Sequence, residues 1–113
     1  MNDDLLIYFG NSPKKNKRCV LRYMSRNNKI REIHFGGKDG FTYVDGASEK
    51  AKENYIKCHE PNENWCAINR GSLARFILWG ESRNLETNWK AYATLKQIDT
   101  NLWNLFELEH VEM

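Results

Sequence analysis

Apolar and polar positions follow a period near two in the first third of the chain. The period lengthens towards 3.6 further on, which predicts strands followed by helices. Asp4 to Phe9 reads as a short apolar strand, broken by Gly10-Asn11-Ser12-Pro13. The basic loop Lys14-Lys15-Asn16-Lys17-Arg18 leads into a second strand, Cys19 to Met24. Arg26-Asn27-Asn28 supplies turn residues, because asparagine tolerates positive φ, and a third strand runs from Lys29 to Phe35. A three-residue loop pairs Met24 with Ile30, Arg22 with Glu32, Leu21 with Ile33 and Cys19 with Phe35. That register gathers Cys19, Leu21, Ile33 and Phe35 on one face and sets Arg22 against an opposite charge. A two-residue loop mixes the faces.

Gly36-Gly37-Lys38-Asp39-Gly40 is expected as an irregular glycine loop. Asp45 or Ser48 then caps a helix over Ala47 to His59, with Ala51, Tyr55 and Cys58 as its apolar stripe and Pro61 as its stop. Asn69 caps a helix over Arg70 to Trp79, ended by Gly80. Leu73, Ala74, Phe76, Ile77, Leu78 and Trp79 surround that helix on nearly every side, which predicts burial at the centre of the domain. Ser82 or Asn84 caps a helix over Leu85 to Ile98, with Leu85, Trp89, Tyr92 and Leu95 or Lys96 along one side. Leu102 to Val111 fits both periods and is read as a strand. The expected fold is α+β and a single domain over residues 1–113. A small antiparallel sheet of about three to four strands, built on an N-terminal hairpin, packs against about three helices. Residues 99–113 form an acidic C-terminal segment that adds a strand.

Composition fits this picture. A chain of 113 residues is one domain by size, and four Trp, five Tyr and five Phe anchor a core that 41% apolar content would otherwise leave thin. No apolar run approaches the roughly 20 residues that span a bilayer. Met1-Asn2-Asp3-Asp4 lacks the basic and apolar regions of a secretory signal. Three cysteines, an odd count without a dense framework, argue for a reducing compartment, so an intracellular location is expected.

Charge changes the picture more. Residues 1–38 hold nine Lys/Arg against three acids, whereas residues 39–113 hold eight against twelve. The cations Lys14, Lys15, Lys17, Arg18, Arg22, Arg26, Lys29, Arg31 and Lys38 fall within 25 residues. Such a cluster is the footprint of sequence-independent nucleic-acid binding, with Tyr23 or Phe41 available to stack on unpaired bases. A solvated, dipolar surface accounts for the same asymmetry.

Other candidate chemistry is weaker. Gly36, Gly37 and Lys38 could present N–H groups and a cation to a phosphate, but the Gly-Lys-Ser/Thr ending of a P-loop is missing. Cys58, His59 and Cys66 do not have the spacing of a structural zinc site, so no metal or cofactor is expected. Adjacent Cys58 and His59 point to different sides of a helix and make no nucleophilic pair. His34 is expected on the outer sheet face or bonded to the glycine loop. Arg75, inside the most apolar helix, must be paired, with Glu63 or Glu81, or contact an anion beside Lys38 and His34.

One set of residues carries a likeness. His34-Phe35-Gly36-Gly37-Lys38 with Gly40-Phe41, then Tyr55-Ile56 and His59, then Glu63-Asn64-Trp65, and finally Gly71-Ser72-Leu73-Ala74-Arg75-Phe76-Ile77-Leu78-Trp79 follow one another in order. This pattern, over roughly residues 17–92, resembles a family of small proteins of large double-stranded DNA viruses and some phages, a family without an assigned activity. The chain departs from it at Thr42-Tyr43-Val44-Asp45, at Cys58 where the family has arginine, and at Glu49, Glu53 and Asn54 in a helix that is basic in the family. The likeness implies a viral origin and a shared fold more than an activity. The expectation is a non-enzymatic viral accessory protein in the infected cell, in its cytoplasm or virus factory. It binds nucleic acid or another polyanion through Lys14, Lys15, Lys17, Arg18, Arg22, Arg26, Lys29, Arg31, Gly36, Gly37, Lys38 and Arg75. The alternative is a minor virion component or host-factor binder, acting alone or as a homo-oligomer.

Overall fold

The computed structural model describes residues 4–100. Strands β1 (Asp4–Asn11), β2 (Lys17–Met24), β3 (Ile30–Gly37) and β4 (Ile98–Asp99) form one sheet in the order β3-β2-β1-β4. Helices α1 (Glu49–His59), α2 (Arg70–Leu73) and α3 (Leu85–Leu95) complete an α+β domain. β1, β2 and β3 pair antiparallel, but β4 runs parallel to β1, so the sheet is mixed. The chain reaches β4 only after the long helical excursion that a parallel pairing demands. The expected strand over 102–111 lies outside the described residues.

The β2–β3 register is the expected one: Met24 faces Ile30, Arg22 faces Glu32, Leu21 faces Ile33 and Cys19 faces Phe35. Asn28 takes a φ of 65° in the turn, which asparagine accepts. β1 solves a problem of phase. Leu6 and Phe9 are both buried yet three apart, which strict alternation forbids. The register shifts between Leu6 and Tyr8, and Ile7 is 42% exposed. One extra residue re-aims the strand, as a β-bulge does.

β3 outlasts its expected end. Gly36 and Gly37 belong to the strand and not to a loop, and Gly37 pairs with Lys17. Gly36 takes a φ of +79°, and a β-carbon there would stand 2.7 Å from Leu78 Cδ1. Only glycine meets both conditions.

The helices begin where their caps are. The Ser48 hydroxyl accepts from the Ala51 N–H at 3.1 Å and starts α1. Asp45 instead closes a separate 3₁₀ turn, Tyr43–Asp45. α1 buries none of its residues fully and Cys58 is exposed, because the helix sits at the margin and leans on the core through half-buried Tyr55. Asn69 caps α2 by accepting from Ser72 N at 2.8 Å. α2 runs straight into a π-helical turn, Ala74–Leu78. α3 stops at Leu95 rather than Ile98, because Gln97 at φ 58° turns the chain into β4. Leu95 is therefore exposed.

The expected centre is the real one. Leu73, Ile77 and Leu78 are buried to within 1% and pack between the sheet and α3. Phe9 and Trp89 lie face to face, ring centroids 4.2 Å apart and 2° from parallel. Ser72 is buried in the same core. Its hydroxyl reaches Ala67 O at 2.7 Å and the Tyr92 hydroxyl at 2.8 Å, so these two buried hydroxyls are satisfied.

Candidate nucleic-acid interface

β3 is an edge strand, and its unpaired side faces the segment from Ile68 to Gly71. Three adjoining depressions follow that seam. The first, about 700 Å³, has Arg26, Arg31, Ile68 and Lys96 in its lining. The second, about 300 Å³, holds Lys14, Lys17, Arg31, Ile68, Asn69 and Arg70. The third, about 500 Å³, holds Gly36, Tyr55, His59, Glu63, Asn69 and Arg70. Arg31 and Ile68 are shared by the first two, and Asn69 and Arg70 by the last two. The result is a groove along β3, a strand of eight residues and about 26 Å at the usual rise.

The middle of the groove is cationic. Among its described lining residues the one acid is Glu32, whose carboxylate is already engaged. Arg22 donates to it through Nε at 3.0 Å and Nη2 at 2.7 Å, and His34 Nε2 lies 2.7 Å from its other oxygen. The Arg22 and His34 contacts hold the Glu32 carboxyl below its ordinary range. Lys14, Lys17, Arg31 and Arg70 make no ion pair among the described residues.

The remaining sequence candidates divide by partner. Arg18 is clamped by Asp45 at 2.5 and 2.7 Å, and Arg22 by Glu32. Arg26 lies 4.0 Å from Asp4 and lines only the end depression. Lys15, Lys29 and Lys38 are exposed around the sheet ends, Lys38 beside Asn16 through its N–H. Arg75 turns inward. Its Nη1 donates to Trp79 O at 2.8 Å and its guanidinium lies over Trp65 and Phe76, at 5.4 and 5.0 Å. The acids expected to pair with it are engaged elsewhere, Glu63 by His59 and Trp65, and Glu81 near Lys52 at 3.7 Å. Of the two stacking candidates, Tyr23 is buried and Phe41 is 66% exposed.

The third depression gathers pieces far apart in sequence. Glu63 accepts from Trp65 Nε1 at 2.7 Å and bonds His59 Nδ1 at 2.9 Å. Partial burial pushes the Glu63 carboxyl up, but the hydrogen bonds from His59 and Trp65 outweigh this and hold it below its ordinary range. The His59 ring stacks on Tyr55 at 4.2 Å, and Tyr55 stacks on Trp79 at 4.6 Å. Burial raises the Tyr55 hydroxyl to about 12, so it stays protonated and neutral at neutral pH. A β-carbon on Gly71 would stand 2.9 Å from Glu63 Oε1 and press on the carboxylate that His59 and Trp65 hold.

On the opposite sheet face His34 is buried, within 2.7 Å of Ser12 Oγ through Nδ1. Glu32 is an ionised acceptor, so Nε2 carries a proton, and Nδ1 shares a hydrogen bond with the Ser12 hydroxyl. Lys14 N–H in turn donates to Ser12 Oγ at 3.1 Å. Serine, histidine and carboxylate stand in the order of an acyl-transfer triad. Here, however, Ser12 is only 5% exposed and Arg22 neutralises the carboxylate, so the chain pins the β1–β2 turn onto β3. No group of three or more potential metal ligands occurs among the described residues. No helix there is long and apolar enough to cross a membrane.

Comparison with protein-family models, curated proteins and solved structures gives no match to this chain. Two features of the groove escape a reading of the sequence alone. Arg70 reads there only as the first residue of a helix. The His59–Glu63 pair has the i,i+4 spacing of a helical contact, but Pro61 between them hides it.

Proposed function

We propose that this domain is a non-enzymatic nucleic-acid-binding accessory protein of viral type, which holds a phosphate backbone in the groove along β3. The carrying observation is that Lys14, Lys17, Arg31 and Arg70 converge on one depression with no acid left to neutralise them among the described residues. Backbone neutralisation releases counterions and needs no sequence reading. The resemblance to proteins of large DNA viruses supports the viral part of this reading, and several of its motif pieces meet at one end of the groove.

The test is a salt series of binding titrations with single-stranded DNA, duplex DNA and RNA, with heparin as a polyanion control. Affinity is expected to fall steeply with salt. Replacing Lys14, Lys17, Arg31 and Arg70 together with alanine is expected to reduce the salt slope by about 3. The absence of binding at low salt, or an unchanged slope in the fourfold variant, overturns the reading.

A further inference from the structure

The third depression differs in kind from the rest of the groove. The cationic middle suits a backbone, whereas this corner offers rings. Trp79, Tyr55 and His59 form a continuous stack, with interplanar angles of 11° and 23°. The His59 side chain is 43% exposed and closes the stack at the depression, while half-buried Tyr55 lies beneath it. Glu63 holds His59 by Nδ1, which fixes the ring and leaves Nε2 available. Arg70 lies on the boundary shared with the cationic depression, within reach of both.

We propose that this corner is a seat for one unpaired nucleobase, with the adjoining phosphates carried on Arg70, Lys17 and Lys14. The ligand class is therefore single-stranded nucleic acid. The proposal rests on the groove binding nucleic acid at all. Stacking is tolerant of sequence because every base has a π-face, and it requires a base free of its partner strand. With its Nδ1 proton committed to Glu63, His59 presents Nε2 to the polar edge of a base. The carboxylate accepts from both His59 and Trp65, so it serves to position the ring and not to bind the base. A paired base inside a duplex cannot enter a pocket of about 500 Å³ without being extruded from its stack.

The experiment uses the whole chain and a short DNA strand carrying 2-aminopurine, alone and annealed to its complement. Binding of the single strand is expected to quench the probe, and the annealed strand to bind about tenfold more weakly. His59→Ala is expected to abolish the quench and weaken single-strand binding about tenfold, leaving duplex binding unchanged. His59→Gln keeps an acceptor but loses the aromatic face, and is expected to behave as the alanine variant does. It also serves should His59→Ala fail to fold. Equal affinity for the two strand forms, or a quench that survives both variants, overturns the base seat. If the fourfold groove variant still weakens both forms, groove binding stands without it. If neither form binds at low salt, both readings fall together.

Discussion

Arg18 grips Asp45 through both terminal nitrogens, at 2.5 and 2.7 Å, across 27 residues of sequence. The pair ties the start of β2 to the turn before α1. Asp45 also accepts from Thr42 N at 2.9 Å and from the Thr42 hydroxyl at 2.8 Å. The Arg18 contact is the largest of the influences that lower its carboxyl, to about 2, with partial burial opposing them. A depressed folded pKa stabilises above the ordinary carboxylate value, and this contribution is lost as pH falls through about 4 towards 2. Asp45→Asn should therefore lower the melting temperature at pH 7 by several degrees, about 1 kcal/mol after allowance for solvent screening. The difference from native protein should shrink at pH 2.5. Thermal melts at the two pH values check both statements.

Gly36→Ala should be among the most damaging single-atom additions in the domain. The new methyl meets Leu78 Cδ1, and the backbone at φ +79° disfavours any side chain. A loss of about 1–3 kcal/mol is expected from the backbone alone. Denaturant unfolding should show it, and Gly37→Ala, whose nearest atom would be 3.9 Å away, should cost much less.

Asn88 carries a load out of proportion to its size. Its amide donates to Ile77 O at 2.8 Å and Ser82 O at 2.7 Å, and its carbonyl accepts from Ser82 N at 3.0 Å. Asn88→Ala should leave buried groups unpaired and cost about 2–3 kcal/mol. Asn88→Asp should also destabilise, since a carboxylate cannot donate to the two carbonyls. Urea midpoints for the two variants would settle the point.

Trp89→Ala should come close to unfolding the chain. Trp89 is fully buried against Phe9. Large-to-small changes of this kind cost about 3–5 kcal/mol, much of a small domain's stability. Loss of near-ultraviolet circular dichroism at 25 °C, with retained far-ultraviolet signal at lower temperature, is the expected signature.

Not every cation should matter for binding. Arg18 is clamped by Asp45 and lines none of the three depressions, and Arg75 is turned onto Trp65 and Phe76. Arg18→Ala should change nucleic-acid affinity by less than about twofold, against a much larger loss for Arg70→Ala. Equal losses from the two would mean that net charge, and not the groove, governs binding.

The strand register was legible because cross-strand charge and face alternation both constrain it: Arg22 opposite Glu32 admits one alignment. The Asn69 cap and the buried Leu73–Leu78 stretch were legible for equally local reasons. What was hidden is tertiary. Nothing near Arg75 in sequence indicates that its partner is a carbonyl one turn on and two aromatic rings. Arg70 becomes part of a binding surface only when β3 lies beside it. Gly36 and Gly37 suggest a free loop in the sequence, whereas the fold keeps both in β3 and uses the absence of a side chain at Gly36 to let Leu78 approach.

The π-helical turn at Ala74–Leu78 holds one residue more than an α-helical path would need. Deleting one residue there would restore a regular helix and rotate everything downstream by about 100°. Trp79 would leave the face of Tyr55, and the ring column under His59 would lose its foundation. A shorter relative with an uninterrupted helix at this point should therefore lack the ring column, however well the rest of its sequence aligned.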